Sequence, residues 1–241
     1  EWVDLGWSFL PSEIIAAYLW AQLENLDEIQ EKRCAIWNRY YNGIKKFGFG
    51  ERTGVGLPGE EKGIFKALKQ WTGVSLQFIA GGYEIAVTPL QMARAFNVIA
   101  SGGYLTEPYV LKEIDSNFLK QKPGVKILGP NTTQRMTGIM TEVVNAGTAK
   151  KTQIAGINIA GKTGTTKLIG KDRKYISSFG GFFPAENPRV TVFVVIDEPT
   201  GDYYGGDVAA PLFKSIAEKL LLYYKIFPEL DKKNEIRIWK P

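Results

Sequence analysis

The chain has 241 residues, 44% apolar and 23% charged, with a formal net charge of +5, the balance of a globular protein with enough chain to bury a core. It contains no histidine and one cysteine, Cys34, which excludes Ser-His-Asp and Cys-His catalysis, histidine-ligated metals, an intrachain disulfide and cysteine-rich zinc. The basic residues are scattered, so no nucleic-acid stripe is expected, and no apolar run reads as a membrane span.

Pro11-Ser12-Glu13 marks a helix start. Apolar residues at helical spacing from Ile14 to Tyr41 (among them Leu19, Trp20, Leu23, Ile36 and Trp37) predict a long helix, broken near Asn25 to Asp27 and stopped at Asn42-Gly43. Residues 46–63 are glycine-rich without the G-x-x-x-x-G-K-[ST] spacing of a phosphate cradle. They predict an ordered loop with several left-handed positions. Trp71 to Gly82 fits no single template, with a break at Gly81-Gly82. Thr88 as N-cap and Pro89 in the first turn open a helix that Gly102-Gly103 stops. Pro108 to Ile114 predicts a short strand and Gly124 to Leu128 an extended piece. Asn131 is the predicted cap of a helix over 132–145.

From Ile157 the pattern turns to β. Strands are predicted over 157–162, 175–183 and 189–196, with a charged connection at 167–174 and a proline-bounded turn at 184–188. A helix over 208–224 closes the block, and residues 229–241 form a polar tail. Short connections between successive strands imply an antiparallel sheet. The fold class is therefore α+β, an antiparallel sheet flanked by helices with a long N-terminal helix, divided as residues 1–45, 46–228 and 229–241.

The triplet Lys162-Thr163-Gly164 ends the first of these strands. Alternation sends Ile157, Ile159 and Gly161 to one face and Asn158, Ala160 and Lys162 to the other. Thr163 and Thr165 lie two apart and share a face. Beside the Lys162 ammonium their hydroxyls can hold a carboxylate or carbonyl. Gly164 has no Cβ, which permits close approach of a substrate backbone.

Two resemblances follow from longer stretches. Residues 1–41, with Trp2-Val3-Asp4-Leu5-Gly6, Phe9-Leu10-Pro11-Ser12-Glu13 and Gln22-Leu23-Glu24, resemble a segment of the DegT/DnrJ/EryC1/StrS sugar aminotransferases, which are pyridoxal-phosphate enzymes. The cofactor lysine of that family lies upstream of such a segment, so no lysine here takes the role and no cofactor is expected. Residues 45–224 resemble the transpeptidase domain of class B penicillin-binding proteins. The stretches, in order, are Phe47-Gly48-Phe49-Gly50 with Leu57-Pro58-Gly59-Glu60; Gly82-Tyr83-Glu84-Ile85 with Val87-Thr88-Pro89-Leu90-Gln91; Ala160-Gly161-Lys162-Thr163-Gly164-Thr165; Ser178-Phe179-Gly180-Gly181-Phe182-Phe183; and Tyr204-Gly205-Gly206 with Val208-Ala209-Ala210-Pro211.

That resemblance implies serine acyl transfer on D-Ala-D-Ala stem peptides in the bacterial cell envelope, with β-lactams as ligands and cell-wall synthesis proteins as partners. It makes Lys162 the catalytic-strand lysine and Thr163, Gly164 and Thr165 substrate contacts. Any membrane attachment would run through an anchor upstream. The family mechanism needs two further motifs, S-x-x-K for the nucleophile and its base and S-x-N for proton relay. None of the serines at 8, 12, 75, 101, 116, 177, 178 and 215 has lysine three residues on or asparagine two residues on. The expectation is a partial transpeptidase domain joined near residues 41–47 to a segment of other descent, inactive alone. The alternatives are a non-catalytic binding or scaffold domain with the same fold, and an aminotransferase fragment. A β-lactamase or β-lactam sensor is disfavoured by the Phe47 loop and the Tyr204 region. Without the rest of the domain the sheet would be exposed and stability marginal, unless the 14–41 helix covers it.

Overall fold

The structure, a computed structural model, describes residues 12–111, 113–114, 117–118, 122–168 and 174–228. The predicted tail at 229–241, the first eleven residues and most of the 167–174 connection lie outside the described residues.

The N-terminal pattern folds into two consecutive helices, α1 (Glu13–Glu24) and α2 (Leu26–Lys46), meeting at Asn25 where a break was expected. The stop is not Asn42-Gly43. The helix runs through Gly43 to Lys46, and the left-handed glycine that ends it is Gly48 at φ +80°. Ile44 and Phe47 are half-buried, and that packing outweighs the roughly 1 kcal/mol propensity cost of a helical glycine.

The following loop is ordered as predicted, with Gly48, Gly50, Gly54, Gly56, Glu60's neighbour Gly59, and Gly63 all at positive φ. It leads into β1 (Ile64–Phe65), which pairs antiparallel with β2 (Ile85–Ala86), with a short helix, α3 (Ser75–Ala80), between the two strands. Gln91 pins the loop: its buried side-chain amide donates to the carbonyls of Glu51 and Lys62. Helix α4 (Pro89–Ala100) starts on a capping box, in which Thr88 Oγ1 accepts from the Gln91 N–H and Gln91 Oε1 accepts from the Thr88 N–H.

Three short strands follow, β3 (Tyr104–Leu105), β4 (Glu113–Ile114) and β5 (Asn117–Phe118), then β6 (Val125–Lys126). β3 pairs with β6, and β4 with β5. The strand predicted over 108–114 shrinks to its last two residues, Glu113 and Ile114, which pair with β5. Helix α5 (Pro130–Asn145) begins two residues earlier than predicted. Gly129, not Asn131, is its N-cap, since Pro130 fits the first helical position without needing an N–H.

The main sheet is antiparallel in the order β7 (Ala160–Lys167), β8 (Tyr175–Phe183), β9 (Val190–Asp197). Helix α6 (Ala209–Tyr223) covers one face. There Phe213 meets Phe179 and Phe183 edge-on, all three fully buried, with Ile159, Val194 and Ala217 around them. Helix α4 covers the other, where Phe96, Ile99 and Ala100 pack on Ala160 and Phe182. Helix α5 lies along the β7 side and feeds both clusters, Val144 one and Met140 the other. The N-terminal helix does not substitute as a cover for this sheet. The sheet is sandwiched by α4 and α6, and α1 and α2 have no buried residue. No helix among the described residues is long and apolar enough to cross a membrane.

Candidate active site

The K-T-G triplet lies inside β7 rather than at a strand end. Pairing with β8 continues from Ala160↔Phe182 to Lys167↔Tyr175. Ile157, predicted to start the strand, instead closes a tight turn by bridging to Ile154. The sequence ended the predicted strand at Lys162 and assigned Gly164 to close approach of a substrate backbone. Within the sheet it has a packing reason instead: a Cβ there would lie 2.5 Å from Ser178 Oγ.

The predicted alternation holds in the centre of the strand. Ile159 and Gly161 point to the α6 side, where Gly161 abuts the Phe179 ring, and Ala160 points to the α4 side. Lys162 follows Ala160, and Thr163 and Thr165 follow Gly161. Among the described residues β7 forms the outer edge of the three-stranded sheet, the position at which an extended peptide can add to a sheet. Lys162 is exposed. Its Nζ folds over to donate to the Thr163 carbonyl (2.9 Å) and lies 3.5 Å from Thr163 Oγ1.

The threonines are engaged within the chain. Thr163 Oγ1 is 2.8 Å from Thr148 Oγ1, in the turn after α5. Thr165 Oγ1 accepts from the Gly205 N–H (2.9 Å). Gly205 and Gly206 sit where no side chain fits: a Cβ on Gly205 would lie 2.4 Å from the Gly164 carbonyl oxygen, and one on Gly206 2.3 Å from that of Thr148. Lys151 donates to Asp207 (2.8 Å), which raises the lysine pKa and ties the same turn to the same loop.

An aromatic group stands at the far end of the strand. Tyr203 stacks on Tyr175 at 4.0 Å and tilts against Tyr204 at 4.5 Å. Ser177 Oγ donates to the Tyr203 carbonyl. The Tyr203 hydroxyl donates to that of Tyr204 (3.2 Å), and this bond, the neighbouring phenols and burial together hold its proton, pushing the pKa up to about 12. Lys162, Thr163, Gly164 and Thr165, named from the sequence as neighbours at a strand end, all lie within β7. The sequence reading missed Thr148, whose place beside Thr163 is set by the turn after α5 and by no periodicity in the sequence.

The comparisons with known proteins agree on one family. The family model of the penicillin binding protein transpeptidase domain matches residues 20–218. That match begins inside α1, ahead of the boundary near residue 45. Stage V sporulation protein D of Bacillus subtilis is 36% identical over 206 residues, covering 80% of this chain and 31% of that protein. Peptidoglycan D,D-transpeptidase FtsI of Escherichia coli is 34% identical over 202 residues, covering 80% and 34%. Among solved structures, penicillin binding protein 3 of Mycobacterium tuberculosis complexed with ampicillin aligns with a TM-score of 0.74 and 29% identity, over 82% of this chain and 48% of that one. The chain spans about a third of the length of the curated relatives it matches. With its K-T-G strand, its helix-sheet-helix core and these matches, the chain belongs to the penicillin-binding protein transpeptidase domain family.

Proposed function

We propose that this chain supplies the substrate-positioning strand of a peptidoglycan D,D-transpeptidase, which cross-links stem peptides ending in D-Ala-D-Ala by serine acyl transfer in the bacterial envelope. The observation that carries the reading is the edge strand β7, with Lys162 exposed on it and the Thr163 and Thr165 hydroxyls fixed beside it. A peptide laid along that edge presents its C-terminal carboxylate to one ammonium and two hydroxyls. Lys162 supplies charge, Thr163 and Thr165 supply O–H donors, and Gly164 keeps the edge low. Two of the similar solved structures are described as complexes with aztreonam and ampicillin. β-Lactams are the corresponding ligands proposed here, bound by the same strand.

The bond chemistry needs a nucleophile that these 241 residues do not provide, because no serine stands in S-x-x-K or S-x-N. The chain alone therefore binds without acylating. A fluorescent penicillin should leave no covalent label after denaturing electrophoresis; stoichiometric labelling would overturn this and require an unconventional nucleophile. Reversible binding of N-acetyl-D-Ala-D-Ala, followed by NMR shifts at residues 162–166 and lost on Lys162→Ala, tests the positioning role itself. The absence of both serine motifs beside an intact strand equally favours a second reading, a binding domain that works without catalysis. Complementation of transpeptidation by a separate protein carrying S-x-x-K would decide against that.

For residues 1 to about 41 we propose separate descent from the aminotransferase-like segment they resemble, without a pyridoxal-phosphate role. Uninterrupted genomic sequence across codons 35–50, with its upstream context, tests this. A continuous transpeptidase reading frame carrying S-x-x-K upstream would remove it, and absorbance of bound cofactor would remove the second part.

A further inference from the structure

We infer that Thr148, which lies outside every motif described above, is a positioning residue for the carboxylate site of β7. The inference rests on the positioning reading just given and names how the strand's hydroxyls are aimed.

A threonine hydroxyl has one proton to donate and two lone pairs to accept with. The Lys162 ammonium can only donate, and it lies 3.5 Å from Thr163 Oγ1. Thr148 Oγ1 lies 2.8 Å from the same atom, and the geometry of that contact permits either oxygen to be the donor. If Thr163 donates to Thr148, its proton is used inside the chain and it has none for an anion. If Thr148 donates, both lone pairs of Thr163 are filled, by Lys162 and Thr148, and the Thr163 proton must point out from the strand. An anion arriving beside Lys162 selects the second arrangement. Thr165 is aimed by the same logic. Gly205 N–H occupies one of its lone pairs at 2.9 Å and leaves its proton free to donate.

The two hydroxyls are two residues of rise apart, roughly 6.6 Å along the strand. A carboxylate placed between them can accept one bond on each oxygen at ordinary O–H···O distances. The surroundings hold this alignment. The Thr148 carbonyl is packed against Gly206, and Lys151 is bonded to Asp207, so the turn carrying Thr148 and the loop carrying Gly205 are joined to each other as well as to β7. Thr148 is itself exposed, so removing its hydroxyl leaves no buried group unpaired.

The test compares wild type with Thr148→Val and Thr148→Ser in the full chain, using N-acetyl-D-Ala-D-Ala and the same peptide with a C-terminal amide. Thr148→Val should weaken the acid about fivefold, the worth of one neutral hydrogen bond, and leave the amide unchanged. Thr148→Ser should restore wild-type affinity. Three-bond couplings to the Thr163 methyl should show one χ1 rotamer in wild type and Thr148→Ser and averaging in Thr148→Val. Equal weakening of acid and amide, or a Thr163 rotamer indifferent to Thr148→Val, overturns the inference and leaves the positioning reading standing. If wild type binds neither peptide, that reading fails and this one with it.

Discussion

The chain contains two kinds of helix, and their difference is instructive. α6 puts Phe213 and Ala217 at zero exposure against the sheet. α1 leaves Ile14 82% and Trp20 66% exposed. Both have strong apolar content, yet only one has a surface to meet. α1 and α2 are held by local bonds: Ser12 caps α1, Trp20 donates to Glu24, and Lys32 pairs with Glu28. The side-chain pairs add tenths of a kcal/mol each and the cap about 1 kcal/mol, and most helical stability comes from tertiary packing of an apolar face. The exception is the end of α2, where Trp37 and Tyr41 join Phe65 and Trp71 in an aromatic cluster. Helical periodicity thus forecasts local conformation, while burial depends on what the rest of the chain brings near.

That contrast makes its largest prediction at Phe213. Phe213→Ala should cost about 3–5 kcal/mol, the usual range for a buried aromatic, and deletion of residues 1–24 less than about 0.5 kcal/mol. Urea denaturation of both variants measures the gap. A deletion as costly as the core variant would break the comparison.

Gly205→Ala comes next. Its new methyl would strike the carbonyl oxygens of Gly164 and Ser178, at 2.4 and 2.6 Å. Backbone cannot yield as a side-chain tip can, so overpacking should cost about 1–3 kcal/mol and pull the Gly205 N–H off Thr165. Peptide binding at β7 should fall in proportion. Retained binding in the variant would mean that Thr165 is not aimed by Gly205.

A smaller effect is expected where the two regions touch. Tyr41 stacks on Phe65 at 5.3 Å and meets Trp71 edge-on. Tyr41→Ala should cost about 1 kcal/mol, yet raise amide exchange along most of α2 while exchange in β7–β9 barely changes. Matching changes in both regions would show that α2 is cooperative with the core.

Much of this was legible in the residues. Thr88-Pro89 marked the start of α4 because capping is local chemistry, and the 175–197 hairpin was readable from alternation around a proline-bounded turn. The errors fall where distant partners decide. Gly43 stays helical because Ile44 and Phe47 are packed. Gly164 stays in β7 because Ser178 needs the space of its missing Cβ. The site divides in the same way: Lys162, Thr163 and Thr165 are visible as a triplet and its neighbour, but the partners of their hydroxyls, Thr148 and Gly205, lie 15 and 40 residues away and only the fold brings them in.

The smallest expected effect lies in the loop between the two regions and is read through pH. Glu60 accepts from the Thr53 hydroxyl and N–H, both at 2.5 Å, and from the Gly54 N–H at 3.3 Å. The Thr53 hydroxyl bond is the main cause of a pKa below the ordinary 4.5, helped by the two N–H groups and Arg52 and opposed by desolvation. A carboxyl with a lowered folded pKa binds fewer protons folded than unfolded. Its contribution is therefore complete above the unfolded value of 4.5 and fades as pH falls through the folded one. Glu60→Gln should lower the urea midpoint slightly at pH 7, and the gap from wild type should close as pH drops below 4.5. The change should register in amide exchange at Thr53 and Gly54 before it registers in β7–β9, because those are the N–H groups that Glu60 accepts from. A gap that is constant with pH would mean that Glu60 holds the loop through shape alone, and that its charge contributes nothing to the junction of the two regions.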